Sequence, residues 1–371
     1  MKNSKIRIAY VSKNFRINGI TNVIMNYCLN LDLNKYNITI FTGKPICEDF
    51  MKKCINNGIN FKIIPSKKKK PLKYYICLFN NLTSKNFDIV HVHGNSATIA
   101  IELFIAKIRG IKKRVAHCHN TKCDSIFVHK MLKPFLNMIC TDRIACSKEA
   151  GKWLYGNKQF DTFNNCFDTK KFIYNEASRF KLQDELNLKN KKVIGHVGIF
   201  TNQKNHEFMV KVMKEIVKLQ EDIVLIFVGA GPNLDKIKLM VKEANLDNNI
   251  IFYGETTNVA ELYDVFDLFL FPSLYEGLGI VLLEAQIKGL NCVISDAIPS
   301  NAIINPHKVV KLSLNDDMQK WASECIKFTS LEERKNYYNE NINQIKKYDI
   351  NDLVLKLDCL YSSNKTERKK I

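Results

Sequence analysis

The run Asp267–Gly289, DLFLFPSLYEGLGIVLLEAQIKG, constrains the fold more than any other stretch of this 371-residue chain. An apolar, strand-like segment ends at Pro272-Ser273. A tight loop holding Gly277 and Gly279 follows, and Ile280-Val281-Leu282-Leu283-Glu284 opens a helix. A short buried strand feeding a helix through a glycine turn suits a parallel sheet covered by helices. Such a turn also aims unpaired backbone N–H groups and the positive end of a helix at one spot. That spot suits a phosphate. Glu276 sits at the lip of the turn and Glu284 over a turn into the helix, with seven residues between them. They can reach hydroxyls on opposite sides of a bound diphosphate, one on a sugar and one on a ribose. The chemistry implied is the use of a nucleotide-sugar.

The same alternation runs along the rest of the chain. Ile6–Ser12, Ile38–Thr42, Asp88–Val92, Arg114–His117 and Ile144–Ser147 read as strands, with helices over Thr21–Leu31, 97–109, 127–139 and Lys148–Tyr155. A second series holds strands at Val193–Val197, Ile223–Gly229, Ile250–Tyr253, Leu268–Phe271 and Cys292–Ser295, with helices over 205–219, 233–244 and 258–265. Strands alternating with helices predict parallel, doubly wound sheets. The expected organisation is an N-terminal Rossmann-like domain over 1–170 and a polar linker over 171–190. A second Rossmann-like domain over 191–345 and a terminal helix and tail over 346–371 complete it. Asp316-Asp317 reads as a helix-start pair.

No apolar run reaches the length of a membrane span and no signal peptide precedes the first strand, so the reading is a soluble, cytoplasmic chain. The twelve cysteines are scattered, without a C-x-x-C pair, and read as reduced core thiols. Charge is one-sided. Residues 1–180 hold 31 Lys+Arg against 11 Asp+Glu, while residues 181–371 hold 25 against 26. A basic half points to an anionic partner: a membrane surface, a pyrophosphate lipid or nucleic acid. Lys67–Lys70 followed by Pro71-Leu72-Lys73-Tyr74-Tyr75-Ile76 joins charge to apolar groups, a mixture suited to a membrane interface or to a plain solvated loop. Nucleic acid is disfavoured because no recognition motif accompanies the charge.

With its Glu-x7-Glu stretch, the chain resembles the family 4 retaining glycosyltransferases, which have the GT-B fold: two Rossmann-like domains facing across a cleft, and a C-terminal helix crossing back to the first. His117-Cys118-His119-Asn120-Thr121 and Ser147–Trp153 resemble runs of the bacterial capsular and exopolysaccharide transferases. The resemblance implies that Lys204, in GHVGIFTNQKNHEF, holds the donor diphosphate as leaving-group charge develops, beside Gly198 and the turn Gly277-Leu278-Gly279. It implies that Glu276 holds sugar hydroxyls, Glu284 the ribose, and that Tyr253 flanks the base. His119 is expected near the reacting carbon, and Gly19 where backbone approaches donor or acceptor. Departures accompany the match. The family's arginine after the Gly198 position is Ile199, and losing one such donor typically costs about 3–4 kcal/mol in the transition state. Arg16 or Lys13, in the first strand-to-helix loop, is the expected replacement cation. Thr21 and Cys166 also depart from the family pattern.

His91 and His93, with His117 and His119, form two H-x-H pairs at strand ends, and alternate residues on a strand share a face. Zinc ligation, strand-end packing and a role for His119 at the donor sugar are the three readings, and the expectation is no metal. The lone G-x-G at Gly229–Gly231 is weak for NAD. No D-x-D motif stands at a strand end, which disfavours a metal-dependent transferase, and no cofactor is expected. The function implied is transfer of a sugar, with retention, from a nucleotide-sugar (UDP-sugar first) to a glycan or polyprenyl-diphosphate-linked acceptor. The chain would then work in the cytoplasm, peripheral on the inner face of the plasma membrane. Epimerase and phosphorylase readings fail on the scarcity of acids in the first half and on length. A degenerate GT-B protein acting as a non-catalytic partner or polyanion-binding module is the alternative.

Overall fold

A computed structural model describes residues 5–16, 19–121, 123–164, 166–256, 258–276, 278–329 and 334–362. The chain divides into two α/β units. One holds Met1–Phe167 with Lys347–Ile371, the other Asp168–Lys346.

In the first unit the strands are β1 (Ile6–Ser12), β2 (Tyr36–Thr42), β3 (Asn60–Ile63), β4 (Ile89–His93), β5 (Lys113–Cys118), β6 (Asp142–Ala145) and β7 (Asp161–Thr162). They form one parallel sheet ordered β3-β2-β1-β4-β5-β6-β7. The helices are α1 (Gly19–Asn30), α2 (Glu48–Asn56), α3 (Pro71–Asn81), α4 (Ala100–Ile108), α5 (Ile126–Ile139) and α6 (Lys148–Tyr155). Apolar side chains of α3 to α6 pack one face of the sheet, among them Leu78, Leu103, Leu136 and Leu154. Ile24, Tyr27 and Cys54 of α1 and α2 pack the other. Sequence reading missed α2, α3, β3 and the two-residue β7. Edge strand β3 leaves most of its side chains exposed, so it offers no apolar run to read.

The second unit opens with α7 (Glu176–Glu185). Its strands are β8 (Lys192–Val197), β9 (Ile223–Val228), β10 (Ile250–Gly254), β11 (Leu268–Phe271), β12 (Asn291–Ser295) and β13 (Val309–Leu312), ordered β10-β9-β8-β11-β12-β13. Its further helices are α8 (His206–Leu219), α9 (Leu234–Glu243), α10 (Val259–Val265), α11 (Ile280–Ile287), α12 (Met318–Phe328) and the short α13 (Tyr337–Glu340) and α14 (Ile342–Ile345). Side chains of α8, α9 and α12 bury one face of this sheet around Trp321. Asp317 caps α12, its carboxylate accepting from the Lys320 N–H at 2.7 Å. The polar stretch 171–190, expected as a linker, is instead folded into this unit. Arg179 of α7 is buried, ion-paired to Asp267 at 2.6 Å and within reach of carbonyls at the end of α10. Polarity there serves an internal ion pair, which composition cannot distinguish from a solvated tether.

The chain then returns to the first unit. Phe167 pairs with Asp349 in an isolated parallel bridge. The last helix, α15 (Ile350–Ser362), lays Leu353, Leu357, Leu360 and Tyr361 into the core that holds α1.

Candidate active site

In an open parallel sheet, ligands bind beyond the carboxyl ends of the strands where the strand order reverses. In the second unit that point lies between β8 and β11, which pair only over Leu268–Ile194 and Phe269–Gly195. The loops leaving these strands are stitched together. Leu274 N–H donates to the Gln203 carbonyl at 2.9 Å, the Gln203 amide to the Tyr275 carbonyl at 2.9 Å, and the Asn205 amide to the Pro272 carbonyl at 3.1 Å. Asn205 takes the left-handed conformation, φ 58°, between the short 3-10 turn Asn202–Lys204 and α8. The loop after β9 presses against the same place. A Cβ on Gly229 would lie 2.2 Å from the Gly198 carbonyl oxygen, so only glycine permits this approach.

Lys204 and Glu276 meet here. Their Nζ–Oε1 distance is 2.7 Å, both side chains are mostly buried, and the ammonium lies 4.8 Å from the centroid of the Phe271 ring. Gly279, with φ 72°, turns the chain into α11, a conformation costly to any residue with a Cβ. Leu278 beside it is buried, and Gly277 lies outside the described residues. One turn into α11, Glu284 Oε2 lies 2.9 Å from the Tyr263 hydroxyl, which is also 3.1 Å from the Val281 carbonyl oxygen. Burial pushes the Glu284 carboxyl up to about 7, opposed by the Tyr263 hydroxyl and the Lys204 charge. Near neutral pH this carboxyl can therefore either donate or accept a hydrogen bond. Tyr253 stands half-exposed on edge strand β10.

Ile199, at the position of the family arginine, projects into solvent with 59% of its surface exposed. Two histidines that sequence reading passed over lie beneath. His196 is fully buried, and its Nδ1 sits 2.9 Å from the Leu270 carbonyl oxygen. A carbonyl only accepts, so Nδ1 carries the hydrogen. Its Nε2 has no partner and lies 2.9 Å from where a Gly198 Cβ would be. His206, first residue of α8, stacks on Phe200 with centroids 3.9 Å apart and meets His196 edge-on at 4.8 Å. Burial holds both rings neutral, with His206 pulled down to about 3. Strand alternation, which sets His196 and Gly198 on one side, was the available signal.

The first unit gathers its own set. His91 and His93 on β4 face His117 and His119 at the end of β5. His91 Nε2 lies 3.2 Å from His117 Nδ1, and His93 Nδ1 lies 2.9 Å from His119 Nε2. His117 and His119 stack at 4.1 Å between centroids. Burial pulls His119 down to about 3, which leaves it neutral at physiological pH. His91 Nδ1 is bound at 2.7 Å by the Tyr361 hydroxyl of α15, itself 2.7 Å from that of Tyr10. Ring nitrogens of His91, His93 and His117 come within 4.8 Å of one another. Imidazole–imidazole and imidazole–phenol hydrogen bonds account for much of this cluster; His93 Nε2, His117 Nε2 and His119 Nδ1 have no partner. Of the loop after β1, Arg16 is exposed, Lys13 reaches Asp124 at 3.4 Å, and Gly19 is the first residue of α1. Thr21 and Cys166, the other departures, are buried in this unit.

Residues 178–345 match the family model described as glycosyl transferases group 1. The chain is 29% identical over 342 residues to the EpsF protein of Bacillus subtilis (strain 168), covering 87% of each. It is 26% identical over 338 residues to the UDP-Gal:alpha-D-GlcNAc-diphosphoundecaprenol alpha-1,3-galactosyltransferase of Escherichia coli, covering 84% of this chain and 85% of that one. The crystal structure of HepE from Anabaena in complex with UDP shares the fold, with a TM-score of 0.79 at 16% identity over 97% of this chain and all of that one. Residues 178–345 therefore carry a group 1 glycosyl transferase domain, and the chain as a whole has the GT-B fold.

Proposed function

We propose that the chain transfers a hexose, with retention at the anomeric carbon and without a metal, from a UDP-sugar to a glycan or polyprenyl-diphosphate-linked acceptor in surface polysaccharide synthesis. The observation that carries this reading is the buried Lys204–Glu276 pair set between the β8 and β11 loops at the start of α11. A diphosphate entering there competes with Glu276 for the Lys204 ammonium and gains the N–H groups that open α11. Glu276, released, accepts from hydroxyls of the donor sugar. Glu284 with Tyr263 holds the ribose. The bond from C1 to the β-phosphate oxygen breaks, the acceptor oxygen bonds C1 on the same face, and the acceptor proton passes to the departing phosphate oxygen. Neutral His119 orients a sugar hydroxyl, and Tyr253 flanks the base. Arg16 remains the candidate second cation. The donor and acceptor classes named for the Escherichia coli relative, and the UDP in HepE, support the choice of UDP and of a lipid-linked acceptor. In this reading the chain works peripherally on the inner face of the plasma membrane.

Ile199 favours a second reading, a protein that keeps the cradle but has lost turnover. The test is a panel of UDP-, GDP- and ADP-sugars, scored by thermal shift and slow sugar release, with wild type beside Ile199→Arg. Stabilisation by UDP-sugars alone, with release rising about tenfold or more in the arginine variant, is the expected result. Binding without release by either protein would favour the second reading, and no binding by either would remove the donor assignment.

A further inference from the structure

The four histidines of the first unit offer more ring nitrogens than the hydrogen bonds around them use. His91 and His93 share a face of β4, and strand register sets His93 beside His117 of β5. The rings crowd together: His91 stacks on His93 with centroids 4.3 Å apart, and His117 lies 5.3 Å and 5.1 Å from the two. All three are buried. Four imidazoles carry eight ring nitrogens, each a donor or an acceptor. Five are engaged by one another or by Tyr361. His93 Nε2, His117 Nε2 and His119 Nδ1 have no partner among the described residues. Moving protons between tautomers does not help, because these nitrogens lack a neighbour whichever form they take. Buried polar atoms are nearly always hydrogen-bonded, so three orphans on one cluster point to a ligand.

Geometry names its class. One ring nitrogen from each of His91, His93 and His117 lies within 4.8 Å of the other two. Zinc holds imidazole nitrogens at about 2.0–2.1 Å in a tetrahedron, which sets neighbouring ligand atoms about 3.3 Å apart. His91 Nε2 and His117 Nδ1 already stand 3.2 Å apart. No pair in the set need close by more than about 1.5 Å to reach the tetrahedral spacing. The surroundings suit ligation as well. With its Nδ1–H given to His119 Nε2, His93 keeps a bare lone pair on Nε2; with its Nδ1–H given to the Tyr361 hydroxyl, His91 keeps one on its own Nε2. Ligating imidazoles characteristically donate their other N–H to such a partner. Burial holds the three rings neutral, the form that ligates. The set is imidazole alone, without a carboxylate, which selects zinc and its neighbours over magnesium or calcium. Three protein ligands leave the fourth position to water. The sugar transfer proposed above uses no metal; an ion here ties β4 to β5 and, through His91 and Tyr361, to α15.

We propose that His91, His93 and His117 form a structural binding site for one divalent transition-metal ion of the zinc class. This does not rest on the donor assignment. The test uses the untagged full chain, stripped with a chelator and then dialysed against zinc, cobalt or magnesium, with bound metal counted per chain. One zinc or one cobalt per chain, and no magnesium, is the expected result. X-ray absorption of the zinc form should show a shell of nitrogen and oxygen alone at about 2.0–2.1 Å, with scattering from imidazole rings. That measurement reads the wild type and needs no variant to fold. His93→Gln and His117→Gln should each weaken zinc binding by more than about tenfold, since even changes beside a metal ligand cost about 10–100-fold. His307→Ala, at an exposed position outside the cluster, should bind zinc as the wild type does, and circular dichroism checks that each variant is folded. Absence of zinc and cobalt uptake, as much magnesium bound as zinc, sulfur in the shell from any of the twelve cysteines, or undiminished binding by both glutamine variants would overturn the inference.

Discussion

The Lys204 ammonium faces two claims, the Glu276 carboxylate that now holds it at 2.7 Å and the diphosphate it is proposed to bind. The competition makes the two residues separable. Lys204→Ala should lower kcat/KM by about 10²–10³. Glu276→Gln should bind UDP several-fold tighter by calorimetry, since the ammonium is released, yet turn over poorly because sugar hydroxyls lose their acceptor. Weaker UDP binding by the glutamine variant would show that Glu276 does not compete. Glu284 has a different signature. The folded protein keeps its proton up to about pH 7, whereas the unfolded chain gives it up near 4.5. Between those values the folded state binds more protons, so this residue makes stability fall as pH rises from about 4.5 to about 7 and leaves it lower above. Glu284→Gln should remove that slope and gain about 1–3 kcal/mol at pH 8, read by denaturant unfolding.

At the scale of elements, α15 does more than cover a core. Its Tyr361 joins the Tyr10 hydroxyl of β1 to His91 of β4, and Asp358 accepts from Lys35 at 2.7 Å and from Tyr36 at 2.7 Å beside β2. Tyr361→Phe leaves a buried imidazole and a buried phenol short of a partner, at a cost of about 1–3 kcal/mol. The loss should appear as faster amide exchange in α15, β1 and β4, with α8 and α11 unchanged. The helix was readable as an amphipathic terminal segment, and its return to the first domain followed from resemblance. Its polar contacts were not readable, because Tyr361 and His91 stand 270 residues apart. Likewise α7 was hidden: Arg179 and Asp267 are 88 residues apart, and neither alone marks a buried pair.

The chain holds two units, and within the first of them Phe167 N–H donates to the Tyr348 carbonyl and Ile350 N–H to that of Phe167, each at 3.0 Å. Each unit has its own core, so calorimetric unfolding should show two transitions rather than one. UDP should raise one of them, and Tyr361→Phe should lower the other. A single transition moved by both would mean the units unfold together. What the sequence alone determined is what acts over a few residues: strand and helix periods, the glycine turn into α11, the positions of Lys204, Glu276 and Glu284, and the one-sided charge. Tertiary structure decided which of these meet. It set Lys204 against Glu276 across 72 residues, put His196 beneath Gly198 and gathered four histidines from two strands. The reason is physical. Backbone preference and side-chain period are local, whereas the pairing of parallel strands and the burial of charge depend on packing between segments remote in the chain.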